Sequence, residues 1–192
     1  YNQQCLPAAT YGAGIWGHAK ANSLQLGENR FLRKALTLPP SASTYKVHSE
    51  LGLTHLEDRI KISPVLLWIS VCIEAILTKQ IIGDCLQMEK GEEIPWIKYI
   101  KQFLYNINEC DVFDNPHNVN LSVRLEIKKE MMNYLNVTRE SSQYCKVSFK
   151  NYMEIKTNPG AEDYLGLQMG RWERSLLIKL RLGTIHQVLG FP

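Results

Sequence analysis

One apolar run constrains this chain more than any other feature: Pro64-Val65-Leu66-Leu67-Trp68-Ile69-Ser70-Val71-Cys72-Ile73, bounded by Lys61 and Glu74. A membrane span needs roughly 20 apolar residues, so this run is expected as a helix buried in a protein core. Around it apolar residues recur at helical spacing, with no regular alternation of strand and helix patterns. Composition permits such a core. Of 192 residues, 45% are hydrophobic and 21% charged, an ordinary globular balance. That balance excludes collagen-like, disordered and disulfide-scaffold classes. With 22 Lys+Arg against 19 Asp+Glu it also excludes a strongly basic nucleic-acid module.

The spacing predicts a series of helices. Leu24 to Leu36 places Leu24, Glu28, Phe31, Leu32, Ala35 and Leu36 on one side and Arg30, Arg33 and Lys34 on the other. Pro39-Pro40 ends it. Ser43 or Thr44 caps a short helix through Leu51, which Gly52 stops. Thr54 with Glu57 reads as a capping box opening a helix toward Leu77, kinked or broken at Pro64. Ile81 to Met88 is a short helical candidate, followed by a polar turn over Lys90-Gly91-Glu92-Glu93. Pro95 suits a first turn, with Trp96, Ile97, Ile100, Phe103, Leu104 and Ile107 at helical spacing behind it.

Cys110 to Asn120 reads as a loop, Leu121 to Leu135 as a helix, Gln143 to Tyr152 as strand or helix, and Asn158-Pro159-Gly160 as a turn. Arg171 to Leu182 reads as a helix with Trp172, Leu176, Leu177 and Leu180 on its apolar side and Arg171, Arg174 and Arg181 opposite. The expected fold class is mainly α, an irregular helical bundle. At most one or two short strands are expected near the N-terminus, the candidate being Leu6 to Tyr11.

Cys5, Cys72, Cys85, Cys110 and Cys145 are scattered and odd in number. They suit buried thiols in a reducing compartment, intracellular (nuclear or cytoplasmic) and not secreted. Tyr1-Asn2-Gln3-Gln4 carries no signal-peptide pattern, and the first methionine is Met88, as expected of a fragment. Asn120-Leu121-Ser122 and Asn136-Val137-Thr138 match the glycosylation pattern by chance on this reading.

Chemistry-bearing patterns are sparse. Gly12-Ala13-Gly14-Ile15-Trp16-Gly17 matches G-x-G-x-x-G, but Pro7 interrupts the preceding segment and Phe31-Leu32-Arg33-Lys34 stands where a strand ending in an acid is required. A glycine-rich bend with Trp16 in a core is expected instead, and no cofactor. His18, His48, His55, His117 and His186 form no metal motif, and Cys110 with His117 lacks the second pair that zinc needs, so no metal is expected. Asp111 and Asp114 have no phosphate-binding companion, and no nucleophile elbow or P-loop occurs, so no catalytic residue is assigned. Two basic faces remain: Arg30, Arg33 and Lys34, and Arg171, Arg174, Lys179 and Arg181. Such faces can follow a phosphate backbone without reading sequence, although charge alone favours a solvated helix face.

Four segments carry a resemblance. Leu6-Pro7-Ala8-Ala9-Thr10-Tyr11-Gly12-Ala13-Gly14-Ile15-Trp16-Gly17 resembles an L-x-x-x-x-Y-G-x-x-x-W segment. Glu28-Asn29-Arg30-Phe31-Leu32-Arg33-Lys34-Ala35-Leu36-Thr37-Leu38-Pro39 is similar to a Q/E-x-x-F-L-R-x-x-L-G-L-P helix, with Thr37 in place of the glycine. His48-Ser49-Glu50-Leu51-Gly52-Leu53 resembles an E-L-G turn before a long helix. Arg174-Ser175-Leu176-Leu177-Ile178-Lys179-Leu180-Arg181-Leu182 resembles an R-x-L-x-x-L-R-L helix preceding a zinc knuckle. Together they resemble the region after the catalytic palm of non-LTR (LINE-type) retrotransposon reverse transcriptases.

The resemblance implies a thumb-like region over 1–82 and a helical linker over 83–192, without the palm aspartates or the knuckle. Two-metal polymerase chemistry needs such aspartates, so the implied piece is not an enzyme. Its implied partners are an RNA/DNA duplex backbone, held weakly, and the palm of the parent polymerase. No membrane partner is expected, and self-association through exposed apolar surface is open. The alternative is a helical protein-interaction module or a non-functional remnant of a decayed retroelement.

Overall fold

In a computed structural model, the described residues are 5–19, 21–73, 80, 84, 94–143, 146–156 and 160–184. Among them every regular element is helical, so the protein is mainly α. The helices are α1 (Cys5–Thr10), α2 (Ala13–Trp16), α3 (Ala21–Ala35), α4 (Thr44–Leu51), α5 (Leu56–Ile73), α6 (Pro95–Asn106), α7 (Asp111–Asp114), α8 (Leu121–Gln143), α9 (Val147–Ile155) and α10 (Arg171–Arg181). Short 3₁₀ turns cover Pro116–Asn118 and Asp163–Gly166.

The chain forms two compact units that interleave in sequence: Tyr1–Ala21 with Leu56–Thr138, and Asn22–His55 with Arg139–Pro192. The expected boundary at residues 82 and 83 lies outside the described residues. So do most of the candidate helix Ile81 to Met88, the turn after it, the extension of α5 toward Leu77, and most of Asn158-Pro159-Gly160.

Unit 1 is built on α5. Ile60, Ile62, Val65, Trp68, Ile69 and Cys72 are all buried, so the helix is covered on all sides, as a core helix should be. Against it pack Ile97, Ile100, Phe103 and Leu104 of α6, Val112 and Phe113 of α7, and Ile127 and Met131 of α8. Trp68 stacks on Phe113 at 5.4 Å and meets Trp96 edge-on at 6.3 Å. The Tyr99 hydroxyl donates to Lys61 O at 2.9 Å.

One expectation fails in this unit, and of the kink or break expected at Pro64 the break is absent. The candidate strand Leu6 to Tyr11 is helical over Cys5–Thr10. Pro7 falls in its first turn, where the missing N–H has no partner to lose. Nor does Pro64 break α5, which runs through it from Leu56 to Ile73. A proline inside a helix leaves the carbonyl four residues back without its donor. Here that carbonyl is Ile60 O, and Gly17 packs close to it without supplying a donor, its N–H being bonded to Ala13 O at 2.8 Å; a Cβ at Gly17 would lie 2.5 Å from Ile60 O and would overlap Ala13 O. A Cβ at Gly14 would lie 2.9 Å from Leu67 Cδ2. The two glycines let α2 lie directly on α5, and the Trp96 indole N–H donates to Gly14 O at 2.7 Å.

Unit 2 holds a smaller core of Leu32, Leu38, Ala42, Val47, Tyr152, Ile178 and Leu182. Gln143 to Tyr152, open between strand and helix in the sequence, is helical from Val147 onward. Helix ends here follow one pattern. In α3 the Leu38 N–H donates to Arg33 O at 2.8 Å and the Thr37 N–H to Lys34 O at 3.2 Å. In α4 the Leu53 N–H donates to His48 O at 2.9 Å and the Gly52 N–H to Ser49 O at 3.2 Å. In α10 the Thr184 and Gly183 N–H groups do the same to Lys179 O and Leu180 O. These are Schellman ends, which need a left-handed residue at the turn. Gly52 (φ 60°) and Gly183 (φ 69°) adopt it freely, whereas Thr37 adopts φ 54° with a β-branched side chain. The Thr37 hydroxyl is held by Leu36 O and Ser175 Oγ, which ties α10 to the end of α3.

Candidate nucleic-acid interface

All seven basic residues singled out in the sequence fall in unit 2. This unit carries 12 Lys+Arg against 7 Asp+Glu, a net of +5, while unit 1 carries 10 against 12, a net of −2. The modest +3 of the whole chain therefore hides a polarised distribution. Ser175 Oγ donates to Leu36 O at 3.2 Å, so the last turn of α3 and the body of α10, which bear the two basic sets, touch.

The seven then divide by how the fold uses them. Arg30, Lys34 and Arg171 are exposed and Lys179 is half-buried; none pairs with another described residue. Arg33 donates through Nε and Nη2 to Ala42 O at 3.1 and 2.9 Å, which sews the loop after Pro39-Pro40 back onto α3. Arg174 donates to Leu167 O at 3.1 Å and holds the segment entering α10. Arg181 lies at the centre of a buried ionic group. Its Nε meets Glu50 Oε1 at 3.0 Å and its Nη2 meets Glu162 Oε2 at 2.9 Å. Lys156 Nζ completes the group, 2.7 Å from Glu162 Oε1, and the Tyr164 hydroxyl donates to Glu50 Oε2 at 2.6 Å. Burial works against the charge on Arg181, but the two carboxylates outweigh it and its pKa is raised. Two cations and two anions close a neutral quartet.

This corrects the expected faces of α10. Its buried positions are Ser175, Ile178 and Leu182, flanked by Arg174 and Arg181, while Trp172 is 73% and Leu180 50% exposed. Apolar periodicity points the wrong way because the buried side combines Ile178 and Leu182 with flanking arginines satisfied by charge pairing and carbonyl acceptors. Nothing local to α10 signals this: Glu50 lies 131 residues away.

The remaining motifs take structural roles. Gly12-Ala13-Gly14-Ile15-Trp16-Gly17 forms α2 and its caps, with Gly12 left-handed at φ 66°. Trp16 is half-buried rather than in the core, its indole N–H donating to Tyr11 O at 2.9 Å. Gly14 and Gly17 serve close helix packing. Among the described residues no group of three His, Cys, Asp or Glu could hold a metal ion. No described helix is long and apolar enough to cross a membrane.

A titratable cluster that the sequence did not single out sits in the same unit. The His48 and His55 rings stack at 3.9 Å, both buried. His48 Nε2 lies 3.1 Å from Asn29 Oδ1 and 3.5 Å from Glu28 Oε2, and Gln25 Nε2 donates to Glu28 Oε2 at 2.8 Å. Burial, then the His48 ring, then Arg139 push His55 from 6.5 down to about 2. His48 is lowered too, by burial foremost, with Glu28 opposing and Arg139 reinforcing. Both rings are thus neutral in the folded unit. Their stabilising contribution is whole above pH 6.5 and is lost as pH falls below it, because only the unfolded chain then takes up the proton. His55 alone is expected to cost about 2 kcal/mol of unfolding free energy at pH 5 relative to pH 7. Urea unfolding at the two pH values measures this, and the slope should flatten in His55→Gln.

No family model, curated protein or solved structure matches this chain.

Proposed function

We propose that this chain acts as the thumb-and-linker part of a non-LTR retrotransposon reverse transcriptase, non-catalytic in itself, holding nucleic acid by its phosphate backbone without reading sequence. The palm of that polymerase is its other proposed partner. One observation carries the reading: the two basic helices, which bear two of the four family-like segments, lie in one unit of net charge +5. Arg30, Lys34, Arg171 and Lys179 there hold no partner within the described residues. Unpaired cations on a positively charged body are what a polyanion requires, and releasing its counterions makes the affinity fall with salt. Arg33 and Arg174, which serve the fold by donating to backbone carbonyls, contribute field rather than direct contact on this reading, and Arg181 is neutralised within its quartet.

The test is binding of an RNA/DNA duplex by fluorescence anisotropy across a salt series. The wild type should bind with an affinity that drops steeply with salt. Arg30→Glu/Lys34→Glu/Arg171→Glu should weaken binding by about tenfold or more at low salt and flatten the slope by about 0.9 per lost phosphate contact. Arg33 is left intact because its change would loosen α3. Absence of binding at the lowest salt, or affinity indifferent to salt and to the triple change, overturns the proposal.

A further inference from the structure

We infer that the exposed face of α10 is a binding site for an unpaired nucleic-acid strand, with Trp172 as the side chain on which a base stacks. This rests on the nucleic-acid reading above and adds the substrate class. Three observations carry it. Trp172 is 73% exposed, while Trp68 is buried and the indole N–H groups of Trp16 and Trp96 are bonded to Tyr11 O and Gly14 O. No ring contact or hydrogen bond within the described residues engages the Trp172 side chain. Second, the face continues at helical spacing through half-buried Leu176 to Leu180, 50% exposed, with half-buried Lys179, seven residues on from Trp172, on the same side of the helix two turns along, and exposed Arg171 in the first turn beside Trp172. Third, the surrounding unit carries +5, while Glu173, the acid nearest in sequence, is already bound to the Gly170 N–H at 2.8 Å.

An aromatic plane with unpaired cations near it on one helix is the chemistry that grips a single strand. The ring takes a base face and the cations take neighbouring phosphates, whatever the sequence. A duplex keeps its base faces covered and can use only the cations. A second copy of this chain would value the apolar stripe but not the net positive charge, which would repel its own image.

The experiment titrates a fluorescent 20-nucleotide DNA without self-structure, and the blunt duplex of the same sequence, with wild type, Trp172→Phe and Trp172→Ala at one low salt concentration. Sedimentation velocity is run on each protein, and a thermal melt confirms that the exposed substitutions leave the fold intact. Trp172→Ala is expected to weaken single-strand binding about tenfold. Trp172→Phe should retain most of it, and duplex binding should stay unchanged in both. If single strand and duplex bind but Trp172→Ala alters neither, this inference falls while the backbone reading stands. If the wild type binds neither, both fall. If Trp172→Ala dissolves an oligomer and leaves single-strand affinity unchanged, the face is an interface between copies and this inference is overturned.

Discussion

Arg181→Met is expected to destabilise unit 2 by about 3–5 kcal/mol, the usual cost of removing one member of a buried ion pair. The side chain of Arg181 is only 19% exposed and that of Glu50 is fully buried. Methionine keeps the bulk of the stem but removes the one group that touches both carboxylates. Lys156 still answers Glu162, so the uncompensated charge is that of Glu50, left with the Tyr164 hydroxyl as its neutral donor. An isolated buried carboxylate is costly because the interior cannot solvate it. The paired variant Arg181→Met/Glu50→Gln should recover a large part of the loss, because it removes the stranded charge rather than restoring the bond. Urea unfolding followed by far-UV circular dichroism measures both. A loss below about 1 kcal/mol in the single variant would mean that the pair behaves like a solvated surface bridge.

The second large effect is expected at Gly52. Here φ is 60°, a left-handed conformation that costs an L residue about 1–2 kcal/mol. Space is closed as well: a Cβ would overlap Ala161 N and lie 2.7 Å from Gly160 C. Both obstacles are backbone atoms, which cannot swing aside as a side chain could. To admit Gly52→Ala the segment at 160–162 must move away from α4. That movement strains the bond from Glu162 N–H to Glu50 O, now 3.0 Å, and with it the geometry of the ionic quartet. The combined cost is expected at about 3 kcal/mol or more, above that of strain alone, because overpacking and a broken buried network add to it. The urea midpoint of Gly52→Ala measures it. The same change at Gly27, where nothing lies within 4 Å and φ is ordinary, serves as the benign control.

Local sequence settled the local structure. Amphipathic spacing marks α3 and α6, Pro95 marks the first turn of α6, and Gly52 marks the end of α4, because each signal is a property of residues within one or two helical turns. The apolar run at Pro64–Ile73 likewise marks the core helix of unit 1. At Pro64 the local rules allow a kink or a break, and the tertiary structure shows α5 unbroken there, with Gly17 of another segment packed against the freed Ile60 carbonyl. The G-x-G-x-x-G spacing was legible but its use was not. Glycine spacing says that a backbone is approached closely, not whether by a phosphate or by a helix.

The basic candidate residues were legible as residue types in two clusters. Tertiary structure alone decided that both clusters belong to one unit, that its charge is +5 against −2 elsewhere, and that Arg33, Arg174 and Arg181 are spent on internal acceptors. It also turned α10 over, burying the side flanked by arginines and leaving Trp172 outside. The reason is range. Helix formation answers to neighbours a few residues apart. The face a helix buries answers to partners such as Glu50 and Glu162, which fold apposition brings from far along the chain, and a paired charge can occupy a core position that periodicity assigns to leucine.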